Sequence, residues 1–137
     1  MFSDEVDCAE TRAIVVLYVK QQQEDASDPA RVKLEEEGWS VVMCSTGVEA
    51  LERLSGGERF DALIFGYKLP DITGIELIRQ TRALAHRQRT PLIMLTDYDV
   101  EEDALRAGVT TFLRKSGAVA SIAETVARLL ARTKGRS

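Results

Sequence analysis

Short apolar runs alternate with amphipathic segments along almost the whole chain. Ala13–Val19 is a nearly continuous apolar run rich in β-branched residues, typical of a strand that is buried on both faces of a parallel sheet. Four further runs have the same character: Ser40–Met43, Ala62–Phe65, Leu92–Leu95 and Thr111–Leu113. The hydrophobic pattern therefore predicts five strands buried in a parallel sheet.

The segments between these runs have helical spacing and recognisable ends. Ser27-Asp28-Pro29 combines a capping residue with a proline in the first turn, and Gly38 is placed to end that helix. Further helices are predicted over 46–54, 75–84 and 100–107, and from Ser121 onwards. Asp99 with Glu102, and Ser121 with Glu124, form two capping-box patterns.

Strands that alternate with helices predict a doubly wound α/β sheet, because parallel neighbours need helical crossovers. Ligands of such sheets bind beyond the carboxyl ends of the strands. The residues predicted at that edge are Val19-Lys20, Gly66, Thr96 and Lys115. A functional site is therefore predicted at these positions.

Composition places the chain among compact proteins with one core. At 137 residues and 45% hydrophobic, it suits one domain, predicted over residues 12–132 between an acidic segment 1–11 and a basic tail 133–137. The net charge of −4 argues against direct nucleic-acid binding, and no apolar run approaches the roughly 18 residues of a membrane span. Cys8 and Cys44 lack a paired spacing, which predicts reduced thiols and a cytoplasmic location.

One stretch carries a family resemblance. Phe60-Asp61, Leu69-Pro70 and Gly74 have the spacing found around the third strand of the receiver domain of two-component response regulators, which this chain resembles. The resemblance implies a flavodoxin-like sheet of order 2-1-3-4-5 with five helices. In that family an Asp that accepts a phosphoryl group stands where this chain has Gly66.

The metal ligands of the family pattern are also missing. Receivers supply Mg²⁺ with an acidic pair after the first strand and with the acceptor Asp itself, because Mg²⁺ prefers hard oxygen ligands. The corresponding window here, Tyr18–Gln23, contains no carboxylate. We therefore expect no metal, no cofactor and no enzymatic activity, and a receiver that lacks its acceptor.

Other parts of the family pattern remain. Thr96 and Lys115 match the residues that contact the phosphoryl group, and Phe112 matches an aromatic that changes rotamer when a receiver switches. Asp97 and Ser116 replace the residues that usually follow Thr96 and Lys115. Structural explanations stay open for each position: a capping hydroxyl at Thr96, a surface ion pair of Lys115 with Asp97 or Asp99, a packed aromatic at Phe112, and backbone crowding at Gly66.

The function implied is signalling through protein–protein contact without phosphorylation. The partner would be a sensor kinase, an effector, another signalling protein or a second copy of the chain, with any effector domain located outside these residues. Family members use the surface of the fourth helix, fifth strand and fifth helix for such contacts. The charged candidates on that surface are Asp99, Glu102, Arg106, Arg114 and Arg128. The same residues also suit an ordinary solvated surface.

Two alternatives belong to other functional classes. One is a working phosphotransfer receiver in which Asp25, Asp61 or Asp97 replaces the missing acceptor. The other is a module that binds an anion or small molecule through backbone N–H groups near Gly66 together with Thr96 and Lys115. Catalysis by Cys44 is disfavoured, because a thiol phosphatase loop needs an Arg where this chain has Ala50.

Overall fold

The computed structural model describes residues 14–21 and 28–135. The predicted acidic segment 1–11, the candidate acceptor Asp25 and the side chains of the predicted basic tail 133–137 lie outside the described residues. The last helix continues to Gly135, beyond residue 132 at which we placed the end of the domain.

Five parallel strands form one sheet in the order β2-β1-β3-β4-β5, which confirms the predicted topology. Every neighbouring pair is parallel, and Val19 at the end of β1 lies beside Phe65 at the end of β3. The strands are β1 Val15–Val19, β2 Ser40–Cys44, β3 Ala62–Phe65, β4 Leu92–Leu95 and β5 Thr111–Leu113. The bounds of the last three agree with the predicted runs. All residues of β3 and β4 are buried, whereas those of β5, at the edge of the sheet, are partly buried.

Helices connect the strands and cover both faces of the sheet. They are α1 Pro29–Glu36, α2 Gly47–Ser55, α3 Gly74–Ala83, α4 Glu101–Ala107, α5 Lys115–Ala118 and α6 Ile122–Gly135. The five long helices were predicted, whereas the four-residue α5 was not. None of the described helices combines the length and apolar character needed to cross a bilayer.

Side-chain caps begin three of the helices. Asp28 accepts hydrogen bonds from the N–H groups of Ala30 and Arg31, with Pro29 in the first turn, as the sequence predicted. Thr46 and Thr73 accept in the same way at α2 and α3.

The predicted capping box of Asp99 and Glu102 is wrong. Val100 precedes α4 without any side-chain cap, and the Asp99 carboxylate instead accepts a hydrogen bond from the Arg114 guanidinium at 2.8 Å. A charged donor on the neighbouring strand end competes successfully with a backbone N–H, because hydrogen bonds between charged groups are the stronger ones.

The sheet separates two apolar layers. On one side, Leu17, Val19 and Phe65 pack with residues of α2, α3 and α4. On the other side, Val16, Tyr18 and Ile64 pack with residues of α1 and α6. Side chains of successive strand residues point to opposite faces, so each central strand contributes to both layers.

Gly74, at the start of α3, makes the tightest backbone approach near the carboxyl edge. A Cβ at Gly74 would lie 2.1 Å from the carbonyl oxygen of Gly66, a distance that no side chain can occupy. A Cβ at Gly66 would meet nothing closer than 3.5 Å, and Gly66 does not have a positive φ. Backbone crowding therefore explains the glycine at 74, and our explanation of Gly66 by crowding is wrong.

We expect Gly74→Ala to lower the free energy of unfolding by about 1–3 kcal/mol, because the added methyl group forces α3 away from β3. Gly66→Ala is the matched control and should change stability by less than about 1 kcal/mol, since its methyl group fits. Urea unfolding followed by circular dichroism measures both values. Equal stability of the two variants would contradict this account of the contact.

Candidate functional site

The carboxyl ends of four strands surround a cleft of about 420 Å³. Lys20 and Gln21 follow β1, Gly66 to Lys68 follow β3, Thr96 to Tyr98 follow β4, and Lys115 lies just beyond β5. The structure thus brings together the three predicted pocket residues Gly66, Thr96 and Lys115. The volume falls within the range of small-molecule sites, about 300–1,000 Å³.

Lys20 takes the place beside Gly66 at this edge. Val19 pairs with Phe65 in the sheet, so Lys20 and Gly66 are the next residues along these two strands. The side chain of Lys20 is 19% exposed and forms an ion pair with Asp28. This register settles the first part of the Tyr18–Gln23 window: Lys20 and Gln21 line the cleft, while Gln22 and Gln23 lie outside the described residues.

The Asp28 carboxylate contacts three groups near the cleft: the first turn of α1, Lys20 and Tyr18. This buried carboxylate caps α1, pairs with Lys20 and accepts a hydrogen bond from the Tyr18 hydroxyl at 3.3 Å. Burial alone would raise the pKa of Asp28, but the hydrogen bonds from Lys20 and from the N–H groups of Arg31 and Ala30 outweigh it and lower the pKa. Burial, together with the negative charge of Asp28, raises the pKa of the Tyr18 phenol.

The backbone N–H of Gly66 is already used. It donates to the carbonyl oxygen of Val19 at 2.7 Å. The N–H of Gly66 is therefore not free to bind an anion, and the hypothesis of backbone N–H groups near Gly66 would have to rest on the residues that follow it.

Thr96 and Asp97 lie at the end of β4. Thr96 is buried, and its Oγ1 accepts a hydrogen bond from the N–H of Tyr98 at 3.2 Å, which is the capping role that we left open. The exposed Asp97 carboxylate accepts from the N–H of Ser116 at 2.8 Å. That hydrogen bond is the main cause of the lowered pKa of Asp97, and the charges of Lys115 and Arg114 contribute to it.

Lys115 is exposed at the rim of the cleft. Its N–H donates to the Thr96 carbonyl oxygen at 3.3 Å, which ties the end of β5 to the end of β4. Within residues 14–21 and 28–135, its ammonium forms no ion pair, so the pairing with Asp97 or Asp99 that we considered is not made. Asp99 pairs with Arg114 instead.

The predicted switch aromatic, Phe112, is half-buried and packs against the core. The Arg114 guanidinium lies 5.7 Å from the centre of its ring. Arg114 also donates to the Asp97 carbonyl oxygen at 3.2 Å and to the Asp99 carboxylate. One arginine therefore contacts Phe112 and the loop between β4 and α4 together.

The remaining charged candidates lie on exposed helix surfaces. Arg106 forms long ion pairs with Glu102 and Asp103, each at 3.8 Å, within α4. Arg128 is exposed on α6. Leu105, between these charges on α4, is half exposed and was not among the predicted residues. Exposed ion pairs of this kind contribute little to stability.

Two other candidates can be placed. Asp61, a possible displaced acceptor, lies at the start of β3, where its carboxylate accepts from the N–H of Val15 at 2.8 Å. At about 3.3 Å per residue, that position is about 16 Å from Gly66. Cys44 is buried, and burial, with the charge of Glu49, raises the pKa of its thiol to about 11.

Sequence reasoning missed Lys68, Tyr67 and Tyr98, which also line the cleft. The tyrosine rings pack with their centres 5.2 Å apart, and the Lys68 ammonium lies 5.9 Å from the centre of the Tyr98 ring. All three residues follow a strand within three positions, so the rule that ligands bind beyond strand ends could have found them.

Residues 17–127 match the family model of the response regulator receiver domain. The chain therefore belongs to the response regulator receiver family. Among solved structures, a CheY-like receiver domain from Methanospirillum hungatei is 26% identical, with a TM-score of 0.80, covering 91% of this chain and 99% of that one. A putative response regulator from Chloroflexus aurantiacus is also 26% identical, with a TM-score of 0.79, over 88% of this chain and 100% of that one.

Curated relatives differ in length from this receiver domain. An uncharacterized 14.6 kDa protein of Leptolyngbya boryana is 35% identical over 77% of this chain and 82% of its own length. The phosphate regulon transcriptional regulatory protein PhoB of Rhizobium meliloti is 34% identical over 86% of this chain. This chain spans only 53% of PhoB, and 42% of the response regulator MprA of Mycobacterium leprae.

The fold family implies a Mg²⁺ site in this cleft, and the described residues that line it do not fit one. The receiver domain of the Pseudomonas aeruginosa kinase PA1611, 24% identical, was solved with magnesium in its active-site cleft. Here the described lining contains one carboxylate, Asp97, and three lysines. In the described part of the chain, no group of three or more His, Cys, Asp or Glu side chains is arranged to hold a metal ion. Ammonium groups repel the cation and cannot be its ligands.

Asp28 generates a testable pH dependence. Because its pKa is lowered in the folded protein, the stabilisation is complete above the unfolded value of about 3.9 and is lost as the pH falls through the lower folded value. Asp28→Asn keeps an oxygen for the cap but cannot ionise, so it should lose about 1–3 kcal/mol at neutral pH. It should then lose less stability than the wild type on acidification.

Urea titrations of both proteins, at neutral pH and at a series of values below about pH 4, measure this difference. Asp103→Asn, at an exposed aspartate on α4, is the matched control, and its acid curve should run parallel to that of the wild type. Parallel acid curves for the wild type and Asp28→Asn would show that Asp28 is not responsible.

Proposed function

We propose that this receiver domain signals by binding another protein, or a second copy of itself, in one conformational state that does not depend on phosphorylation. The observation that carries this proposal is the replacement of carboxylates at the strand edge by Lys20, Gln21 and Gly66. Phosphoryl transfer to an Asp needs a nucleophile and a metal to neutralise the phosphoryl oxygens. The residues that would supply both are not carboxylates here.

The surroundings of Phe112 support a single state. A two-state element shifts only when a ligand interacts differently with its two states, and the usual covalent ligand has no acceptor at Gly66. Arg114 holds the Phe112 ring and the loop that carries Asp97 and Asp99 in one arrangement. The surface of α4, β5 and α6 would then be permanently competent to bind.

The same surface supplies the proposed contact. It presents the exposed Leu105 surrounded by charges of both signs, of which Glu102 is 86% and Arg106 71% exposed. Opposite charges arranged around an apolar centre suit a complementary or self-complementary contact. PhoB is named as a transcriptional regulator. This chain spans only 53% of PhoB, so the likeness gives no basis for assigning DNA binding to this chain.

A displaced acceptor is the second candidate, and Asp97 is the described residue that favours it. Its carboxylate lines the cleft next to Thr96 and near Lys115. However, it has no second carboxylate beside it to share a metal ion among the described residues. The experiment below separates the two functions.

We expect no phosphorylation of the wild type by acetyl phosphate, with or without Mg²⁺, and Mg²⁺ binding no tighter than about millimolar. Gly66→Asp should also remain unmodified, because its new carboxylate has Lys20 and Gln21 as neighbours instead of metal ligands. Intact-mass spectrometry measures the added phosphoryl group. A receiver that carries the acceptor Asp, treated in parallel, is the positive control.

An added phosphoryl group on the wild type that disappears in Asp97→Asn would establish the displaced acceptor instead. Labelling of Gly66→Asp alone would show that the cleft can hold the metal after all.

Charge reversal at Glu102 or Arg106 should weaken self-association or partner binding by about 1–2 kcal/mol if these residues lie in the contact. Analytical ultracentrifugation measures self-association, and a binding isotherm measures any partner recovered by affinity capture. Reversal of the exposed Glu35 on α1 is the matched control, because it lies on a different helix and also forms an exposed ion pair. Lys115→Ala should leave this contact unchanged.

Binding that survives both reversals but disappears with Lys115→Ala would contradict the proposed surface. The cleft, and not α4, would then be the contact site.

A further inference from the structure

The chain enters β1 at the amino edge of the sheet, which is the edge opposite the cleft. Asp61 fixes this point: its carboxylate accepts a hydrogen bond from the N–H of Val15 at 2.8 Å, and its own N–H donates to the carbonyl oxygen of Val15 at 2.8 Å. β1 lies between β2 and β3 in the sheet. The residues that precede Ile14 therefore join the described chain between the amino ends of β2 and β3.

The loops that lead into β3 and β4 at this edge carry an excess of positive charge. Residues 53–61 and 82–91 comprise the ends of α2 and α3 and the loops that follow them, and they contain five arginines but only two carboxylates. Two of the arginines pair with those carboxylates: Arg53 with Glu58, and Arg59 with Asp61. Three positive charges are left without a carboxylate in these loops.

Arg82, Arg87 and Arg89 supply these three charges. None of them forms an ion pair within residues 14–21 and 28–135. Arg82 donates to the carbonyl oxygen of Gly108 at 2.9 Å, Arg87 donates to that of Leu54 at 3.0 Å, and Arg89 is exposed. Carbonyl oxygens satisfy the N–H groups of a guanidinium but leave its net charge uncancelled, so this part of the edge is positive.

The β2 side of the same edge has the opposite charge. Glu35 and Glu36 end α1, and Glu37 follows them shortly before β2. Glu35 pairs with Arg31, whereas Glu36 and Glu37 are exposed and form no ion pair among the described residues. An anionic segment that joins β1 is therefore repelled on the β2 side and attracted on the side of β3 and β4.

The segment that leads to β1 is anionic. Residues 1–11 contain Asp4, Glu5, Asp7 and Glu10 and no Lys or Arg. β3 lies one strand spacing from β1, about 4.8 Å, and β4 lies two spacings away. Each residue spans up to about 3.3 Å, so a stretch from Asp4 to Ala13 is long enough to bring all four carboxylates to these loops.

We propose that the acidic segment 1–11 docks within its own chain on the amino edge of the sheet, against the arginines of residues 53–61 and 82–91. Attraction between its four carboxylates and the three arginines without a carboxylate partner holds it there. The docked segment covers the amino edge and leaves the cleft and α4 open. This inference goes beyond the proposed function, because it concerns the opposite edge of the sheet and requires neither a partner nor a phosphoryl group.

Cys8 provides a position within the segment for a spin label. Cys44, the other cysteine of the chain, is buried, and burial with the charge of Glu49 raises the pKa of its thiol to about 11. We therefore expect a thiol-reactive nitroxide to modify Cys8 in the folded full chain and to spare Cys44. Intact-mass spectrometry checks that one label is added, and Cys8→Ser should remain unlabelled.

The measurement is paramagnetic broadening of backbone amide signals by this label. We expect the strongest broadening at Gly57, Gln88 and Arg89, at the amino edge, and the weakest at Lys68 and Lys115, at the carboxyl edge. About 1 M sodium chloride shortens the screening length to about 3 Å and should restore most of the lost signal. Neutralising the four acids together, by Asp4→Asn, Glu5→Gln, Asp7→Asn and Glu10→Gln, should have the same effect as salt.

Charge reversal on the described surface tests the other half of the contact. Arg89→Glu should reduce the broadening at Gly57 and Gln88 at least about two-fold, because it replaces an attractive charge by a repulsive one. Lys33→Glu, at an exposed lysine of α1, is the matched control and should leave the broadening unchanged. Both positions are exposed, so both variants should fold, which circular dichroism checks.

Three results would overturn the proposal: broadening no stronger at the amino edge than elsewhere, equal broadening in Arg89→Glu and the wild type, or broadening transferred between chains. The last is measured by mixing spin-labelled wild type with isotope-labelled Cys8→Ser, and it would place the segment on a second copy. Because no phosphodonor is present and α4 is unchanged, failure of this test leaves the proposed function intact.

Discussion

The buried carboxylate of Asp28 is the constraint on which the carboxyl edge depends. A lysine at the end of a central strand, with its side chain mostly removed from water, is costly unless an opposite charge and hydrogen bonds compensate it. Asp28 supplies that charge, and the same two oxygens begin α1 and hold Tyr18. The chain can therefore keep Lys20 beside Gly66 only because α1 begins where it does. One carboxylate therefore both begins α1 and compensates the charge of Lys20 at the cleft.

Sequence patterns determined the sheet more fully than the edge around it. The bounds of β3 and β4 follow from wholly apolar runs, and the order of strands follows from the resemblance. Asp28 was predicted as a cap, but its pairing with Lys20 requires the spatial position of α1, which local periodicity does not contain. The Asp99–Glu102 box failed for a similar reason, since Arg114 arrives from β5, far along the chain.

Gly66 and Gly74, at the carboxyl edge of the sheet, also show what the sequence alone does not predict. From the sequence, Gly66 and Gly74 are equally plausible places for a tight approach. The structure shows the crowding at Gly74 alone, because the start of α3 passes over the carbonyl of Gly66. A Cβ would fit at Gly66, so packing does not explain why this position lacks a side chain. The explanation has to come from the chemistry of the cleft. Thr96, Lys115 and Gly66 were predicted to meet, whereas Lys68 and Tyr98 were overlooked although both follow a strand within three positions.

Arg114 is the physical connection between the cleft and the surface of α4. It contacts the Asp97 carbonyl oxygen, the Asp99 carboxylate and the Phe112 ring, while the N–H of its neighbour Lys115 is bonded to Thr96. A ligand in the cleft alters binding at α4 only if the ligand's contacts differ between two arrangements of Arg114. A partner at α4 would then change the affinity of the cleft for that ligand by the same factor. A ligand that leaves Arg114 in place would change the occupancy of the cleft and nothing else. The cleft and the contact proposed at α4 would therefore be coupled only to the extent that Arg114 moves.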